Sequence, residues 1–589
     1  MTLVRTSSTT TRMKKRATLL GGVFFALFGL LGARAVYLQA YQSELLTQRA
    51  EIRIGKKVKL WGKRGTIEDR NGNKLAMSVS AYAVGVFSRK AALIEDVPRA
   101  ARRIANILNL SPAFVERGLR KKTYNWLKRP ADEREADAIA ALKIPGVEVV
   151  PFHNRIYPNI GLAGQLIGFS DIDDIKGLSG LEVKYNDYLT PSSTWQSLMW
   201  DGKGKLVRLE SPSMKSLDGD TLTLTIDSTI QNIAETALEK SVVKHKASSG
   251  MAVVMRPVTG EVLAMANYPS FNPNNVKGYS DTSRINRSAV ETFEPGSTMK
   301  VFLAAAALDS GKVRKNTRFY CENGSYNIKG HTFNDTHEYE WLSLGQVIKF
   351  SSNIGVIKMS EIIGRETFEK ALRNLGFGQR SGINLPGEGK GIFRDFNKLN
   401  SVEFGAVAFG QGISVTAIQL ATAFGAIANN GELVKPWVVK RITTPSGEIK
   451  KEFASPGSRV AITPSTARFM KKVMATVTQE GGTGTEAALD GYTVCGKTGT
   501  AQIIGPDGTY FKDRYMASFA GFVPMEKPEL VIVVIVDDSR TGGYYGGGVA
   551  GPIFREIAYK SLEHLNVAPE KEQFSSDKLL FALKSEDKQ

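Results

Sequence analysis

Three short patterns stand in order along the chain: Ser297-Thr298-Met299-Lys300, Ser351-Ser352-Asn353 and Lys497-Thr498-Gly499-Thr500. A serine hydroxyl is a poor nucleophile at neutral pH and needs a base within hydrogen-bond reach. Residues three apart share one helix face, so Lys300 stands beside Ser297 if the segment is helical. Phe293-Glu294-Pro295-Gly296 reads as the turn before such a helix and residues 301–308 as its apolar body. A serine at a helix start also lies among unpaired backbone N–H groups, which can hold a developing oxyanion. Lysine serves as a base only where burial or a positive neighbour lowers its pKa. The three patterns together supply a nucleophile, a base, a proton relay and a substrate cradle, which is the equipment of acyl transfer.

Each pattern alone is cheap. Ser-x-x-Lys recurs at Ser241/Lys244, Ser575/Lys578 and Ser585/Lys588, and Ser-x-Asn at Ser270/Asn272 and Ser325/Asn327. An isolated Ser-x-x-Lys is ordinarily a helix cap followed by a surface lysine. Residues 491–498 also match the phosphate-loop pattern G-x-x-x-x-G-K-[ST], which makes a nucleotide hydrolase the formal rival. A phosphate loop must lead into a helix, whereas Tyr492, Thr493, Val494 and Cys495 favour a strand and Gly499-Thr500 starts a helix poorly. Asp537-Asp538, after the apolar run 530–536, is the one candidate for a Mg-binding carboxylate.

The amino terminus bears on the compartment. Residues 17–33 form a run of 17 without a charge, and reading on to Leu38 gives 22, enough for a bilayer that needs about 20. Arg5, Arg12, Lys14, Lys15 and Arg16 precede it with no acidic residue. The positive-inside rule therefore keeps the N-terminus in the cytoplasm and exports the remainder. The competing reading is a cleaved signal peptide with Ala33-Arg34-Ala35 as its site, but the apolar run exceeds the roughly 7 to 15 residues usual there. No second span of this length follows. Of 589 residues, 42% are apolar, so the chain can hold two or more cores. Two cysteines, Cys321 and Cys495, exclude a disulfide framework, and the five histidines are scattered, with His331 and His337 not a helical ligand pair. A net charge of +19 would suggest an acidic partner, for an exported chain anionic lipid and wall polymer rather than nucleic acid, but a solvated basic surface with no dedicated ligand is the commoner explanation.

Residues 40–215 carry Gly and Pro punctuation with mixed periodicity and read as an irregular α+β region; 64–72 read as a strand running into an Asn-Gly turn. From Gly219 the pattern sharpens: a strand over 221–226, a helix over 230–244, a strand pair at 250–255 and 261–266, strands at 519–523 and 530–536, and a helix over 552–565. From Asn566 the chain is polar and reads as a loose tail.

The ordered set Ser-x-x-Lys, Ser-x-Asn and Lys-Thr-Gly resembles the signature of penicillin-binding proteins and serine β-lactamases. Phe293-Glu294-Pro295-Gly296, Gly481-Gly482-Thr483-Gly484 and 546–554 flank it in family-like fashion. Arg64-Gly65-Thr66-Ile67-Glu68-Asp69, Arg155-Ile156-Tyr157-Pro158 and Gly177-Leu178-Ser179-Gly180-Leu181-Glu182 are similar to elements of the pedestal of class B proteins. The chain is thus identified as a class B penicillin-binding protein, with the resemblance spanning nearly all of residues 40–565. Gly410-Gln411-Gly412-Ile413-Ser414-Val415-Thr416 followed by Gln419-Leu420-Ala421 looks like the division type rather than the elongation type.

That resemblance implies an α+β protein with a cytoplasmic tail (1–16), a transmembrane anchor (17–38), a dimerisation-type pedestal (39–218), a penicillin-recognising transpeptidase domain (219–565) with an antiparallel sheet flanked by helices, and a polar tail (566–589). It implies single-pass placement in the cytoplasmic (inner) membrane with the catalytic domain on the periplasmic side. The substrate would be a stem peptide ending in D-Ala-D-Ala, with β-lactams as inhibitors. Ser297 would attack the penultimate D-alanine carbonyl, Lys300 would take its proton, Ser351 would relay a proton to the leaving group and Asn353 would hold the peptide amide. Lys497, Thr498 and Thr500, with Gly499 between them, would bind the terminal carboxylate, and the N–H groups of Ser297 and Thr500 would form the oxyanion hole. No metal or organic cofactor is required. Nothing resembles a glycosyltransferase domain, so glycan strands would come from a multi-pass membrane polymerase of the shape, elongation, division and sporulation (SEDS) family, acting with other division proteins. The contact would involve the anchor helix 17–38 and the pedestal around Arg64 to Asn73 and Gly177 to Glu182, with Arg64, Gly65, Asp69, Arg155, Gly180 and Glu182 as the candidate pedestal residues; the alternative is that these glycines and charged residues hold the pedestal's own fold. A β-lactam sensor or β-lactamase would use the same acylation chemistry, and an idle scaffold would keep only the fold.

Overall fold

The computed structural model describes residues 8–43, 55–200, 206–208, 217–455, 457–505, 508–541 and 543–570. They fall into two compact units, the first comprising residues 1–62 with 192–217 and the second 63–191 with 218–589. In the first, Ser8–Ala40 is one continuous helix, and its stretch Arg12–Ala40 is long and apolar enough to cross a membrane. The strand Ser193–Trp200 pairs antiparallel with Gly55–Trp61 on one side and Leu206–Arg208 on the other.

The second unit is built on a five-stranded antiparallel sheet of β1 (Ser249–Met255), β2 (Val262–Tyr268), β3 (Cys495–Ile504), β4 (Tyr510–Val523) and β5 (Leu530–Asp537), in the order β2-β1-β5-β4-β3. Side chains alternate across a strand, and β5 is apolar at nearly every position because both faces are covered. Val531, Val533 and Ile535 enter the core containing helices α2 (Met299–Asp309), α3 (Asn353–Ile363) and α4 (Ala417–Ala428). Ile532, Val534 and Val536 enter a second core with α1 (Ser228–Lys244) and α5 (Gly546–His564). Every residue of α4 is buried, the expected consequence of an apolar helix lying between a sheet and other helices.

Two boundaries differ from the sequence reading. α5 starts at Gly546 and carries Pro552 inside it, although glycines and a proline argue against a helix interior. The glycines serve close approach: a Cβ on Gly546 would fall 2.2 Å from Gly499 O, and one on Gly547 2.3 Å from Thr483 O. At the other end, 566–570 are tied down rather than loose. Tyr492 donates its hydroxyl to Val567 O at 2.6 Å, and Glu570 N–H donates to Gly491 O at 2.8 Å. The remaining tail, 571–589, lies outside the described residues.

The strand at the expected start of the catalytic domain joins two regions, pairing antiparallel with Val439–Thr443 on one side. Thr221–Leu224 pairs in parallel with Ile67–Glu68, within a seven-stranded sheet that includes Lys74–Val86, Asn125–Ala131 and Val147–Ile156. Asp69 joins the same two regions. Its carboxylate accepts from the N–H groups of Asn71 and Asn73, at 2.8 Å each, and from Ser228 Oγ at 2.6 Å, at the N-terminus of α1.

The six pedestal residues named above as candidates for a partner contact are mostly interior. Arg64 Nε donates to Glu182 Oε2 at 2.7 Å with both side chains at 0% exposure, and Arg155 Nε donates to Glu182 Oε1 at 2.8 Å. Asp69 is wholly buried. Gly65 packs so that a Cβ would lie 1.9 Å from Asp220 O, and Gly180, at φ +57°, would meet Leu166 O at 2.6 Å. These residues bind the pedestal to itself, since a buried arginine–carboxylate pair must be satisfied internally. Glu182→Ala would leave the buried Arg64 guanidinium without its counter-charge and Arg155 with only Asp174, 3.9 Å away. It should cost about 3–5 kcal/mol, read as a lowered denaturation midpoint with unchanged slope.

Candidate active site

The nucleophile turn is seated by residues far away in sequence. Phe293 exchanges both backbone hydrogen bonds with Val415, and the Glu294 carboxylate accepts from Gly412 N–H at 2.7 Å and from the Tyr510 hydroxyl at 3.0 Å. Gly296 N–H donates to Gly410 O at 3.2 Å. The 410–416 segment is therefore the wall behind the nucleophile. Gly296–Thr298 makes one 3-10 turn and α2 continues from Met299, so Ser297 stands at a helix start as expected. α2 is fixed by burial along its length, with Phe302 edge-on to Phe377 and Phe424 at 5.2 Å each; aromatic pairs in this geometry add about 0.5–1.5 kcal/mol beyond area burial.

Lys300 comes from α2, Ser351 and Asn353 from the turn that opens α3, and Lys497 from the first part of β3. Lys300 Nζ donates to Ser351 O at 2.5 Å, to Asn353 Oδ1 at 2.7 Å and to Ser351 Oγ at 3.3 Å. Lys497 Nζ donates to Ser351 Oγ at 3.0 Å and to Thr498 O at 3.1 Å. An amine has donors to place, and Lys300 finds three oxygens in the second motif. Both amines are fully buried. Desolvation lowers Lys300 to about 7, with Asp335 opposing, and it takes Lys497 well down, with Lys300 adding to the effect. Ser351 has φ +61°, a conformation uncommon for a residue with a side chain.

β3 is the edge strand of its sheet. Thr498 Oγ1 lies 2.9 Å from Thr483 Oγ1, and Thr500 Oγ1 accepts from Gly546 N–H at 3.1 Å. Gly499 must stay bare, since a Cβ would lie 2.3 Å from Ser518 Oγ. A cleft of about 530 Å³ opens over Ser297, Ser351, Asn353, Thr498 and Thr500, with Tyr545 at its rim. Tyr545 continues a stack through Tyr544 to Tyr515, at 4.5 and 4.3 Å between centroids. The phosphate-loop rival fails on geometry: Lys497 is inside a strand, not before a helix. Asp538 is not a free Mg ligand either, being paired to Arg514 at 2.9 Å and Arg540 at 2.6 Å.

Sequence reasoning passed over four residues of this region. Thr483 and Glu294 stood inside quoted motifs without a role, Tyr545 preceded one, and Asp335 carried no signal because its partners are Ser352, Asn353 and Ile354.

Residues 250–559 match the penicillin binding protein transpeptidase domain, and 59–224 match the penicillin-binding protein dimerisation domain. The chain belongs to the class B penicillin-binding proteins. It is 34% identical over 573 residues to the probable peptidoglycan D,D-transpeptidase PenA of Neisseria gonorrhoeae, covering 95% of each chain. It is 32% identical over 559 residues to the peptidoglycan D,D-transpeptidase FtsI of Escherichia coli K12, covering 94% of this chain and 92% of that one. Among solved structures, penicillin binding protein 3 of Mycobacterium tuberculosis, complexed with aztreonam, superposes with a TM-score of 0.67 at 27% identity, covering 87% of this chain and 98% of that one. The class B assignment accounts for a dimerisation domain and a transpeptidase domain carried behind one apolar N-terminal helix.

Proposed function

We propose that the protein is a serine-type peptidoglycan D,D-transpeptidase that closes stem-peptide crosslinks at the division septum. The observation that carries the reaction is the convergence of two buried amines on the Ser351 hydroxyl, beneath a cleft that opens at Ser297. Lys300, once neutral, takes the Ser297 proton as Oγ attacks the penultimate D-alanine carbonyl, and the C–N bond to the terminal D-alanine breaks as Ser351 hands a proton to that nitrogen. The edge of β3 offers unpaired backbone groups to an extended peptide, and Lys497, Thr498 and Thr500 face its terminal carboxylate. The N–H groups of Ser297 and Thr500 stabilise the oxyanion. An acceptor amine from a neighbouring stem then resolves the acyl-enzyme. The septal assignment rests on similarity to FtsI and on the 410–416 wall.

The helix Arg12–Ala40 anchors the chain in the cytoplasmic membrane, with Lys14, Lys15 and Arg16 holding the N-terminus inside and the catalytic unit outside. Glycan strands are supplied by a SEDS-type membrane polymerase. Its contact surface has to lie on exposed pedestal residues such as Leu178 and Ile172 rather than on the buried arginine–glutamate cluster.

The test is reconstitution of the full-length protein with a membrane glycan polymerase and lipid-linked precursor. Crosslinked muropeptides should appear and vanish on adding penicillin. Acylation of Ser297 by penicillin with no crosslinked product would favour the sensor reading instead. Depletion in growing cells should give filaments, whereas rounding without a septation defect would assign the protein to elongation.

A further inference from the structure

Asp335 follows the strand His331–Asn334 and aims its carboxylate at the turn carrying Ser351 and Asn353. Oδ2 accepts from Ser352 Oγ at 2.5 Å, and Oδ1 accepts from the N–H groups of Asn353 and, at 3.1 Å, Ile354. Ser352 Oγ in turn accepts from Gly355 N–H at 2.9 Å, capping α3. A non-glycine residue in the left-handed region, as Ser351 is, persists only where its surroundings over-determine it. Three of the determining hydrogen bonds end on Asp335. The turn they hold presents Ser351 O, Ser351 Oγ and Asn353 Oδ1 to Lys300.

Charge gives the same residue a second effect. Lys300 and Lys497 are both buried and both reach Ser351 Oγ, so two ammonium groups there would repel each other in a medium that already opposes either. Asp335 is the charged group that favours the Lys300 ammonium, and Lys300 in turn disfavours the ammonium of Lys497 on β3. The titratable groups beside Asp335 are Cys321 and Tyr339, which burial and the carboxylate both push up and so keep neutral at ordinary pH. No other carboxylate among the described residues offsets the loss of solvation at Lys300.

We propose that Asp335 is a positioning residue and the counter-ion of the site: it holds the Ser351 turn in place and sets its negative charge behind Asn353, whose Oδ1 receives the Lys300 amine. Its charge thereby sets the pH at which Lys300 becomes a free base, which rests on the reading of Lys300 as the base given above.

The test measures the acylation rate by a penicillin across the neutral pH range on the full-length protein. Asp335→Asn is isosteric and can still accept from Asn353 and Ile354, while Ser352 Oγ can turn its hydrogen toward Cys321 Sγ, 3.6 Å away. Removing a negative neighbour disfavours the ammonium, so the acidic limb of the profile should move to lower pH by about one unit. Ser352→Ala, which loosens the turn but leaves the charge, should slow acylation with the limb in place. An Asp335→Asn limb that stays put or moves up would overturn the proposal, whatever the rate. If Asp335→Asn does not accumulate as folded protein, Asp335→Glu and Ser352→Ala decide: both keep the charge, and a limb displaced in either defeats the proposal. Wild-type acylation by Lys300→Arg would instead remove the base assignment, a separate and recognisable failure.

Discussion

Ser297→Ala is expected to abolish covalent labelling by a fluorescent penicillin while leaving the unfolding transition close to that of the wild type. Losing the nucleophile of a serine acyl-transfer site costs on the order of 10⁶ in rate, which on a labelling gel is complete loss. The fold should tolerate the change because the turn is held by other atoms: Thr298 Oγ1 donates to Pro295 O at 2.7 Å, and Phe293 and Gly296 are tied to Val415 and Gly410. Alanine is also the best helix former for a position opening α2. Peptide mapping of the wild-type adduct should return the segment containing Ser297. Ser241, the decoy within the described residues, lies on α1 against the other face of the sheet, far from both buried lysines. An adduct there, or residual labelling of Ser297→Ala at the wild-type rate, would overturn the nucleophile assignment.

Legibility of this site in the sequence followed the range of the interactions. Ser297 and Lys300 share a helix start, and Lys497 to Thr500 share a strand, so their local patterns were readable from neighbours alone. β1 and β5 were readable because burial on both faces demands a continuous apolar run. Asp335 was not, because what makes it part of the site is three hydrogen bonds to a turn that begins 16 residues later, and nothing in Asn334-Asp335-Thr336 signals them. Arg64 and Glu182 failed in the opposite sense. They were visible as motif residues, but charge suggests exposure, and only the fold shows that each is the other's counter-ion with no solvent at either. The start of α5 was hidden by Gly546 and Gly547, where the need for contact with Gly499 O and Thr483 O outweighs helix propensity. The pKa of Lys300 was equally invisible, being a property of burial.

That pKa carries the second large prediction. With Lys300 lowered to about 7, a base that must be neutral to act is available above that pH and lost below it. The acylation rate of the wild type should therefore fall about tenfold per unit once the pH is well under 7, since the fraction of free amine falls in that proportion. Lys300→Arg keeps the positive charge and can still donate toward Ser351 O and Asn353 Oδ1, so the turn need not collapse. A guanidinium does not deprotonate in a protein, and the loss of a general base should cost about 10²–10⁴ in acylation rate. The acidic limb should vanish with it, leaving a slow, pH-independent residue of reactivity across the neutral range. The slope separates this from simple damage to the site: a variant that was slow only because the larger head displaced Ser351 would retain the wild-type limb at a lower amplitude. Lys497 is the competing amine, also buried and held to Ser351 Oγ at 3.0 Å. If Lys497→Arg removed the limb while Lys300→Arg kept it, the base would be Lys497 and the two lysines would exchange roles.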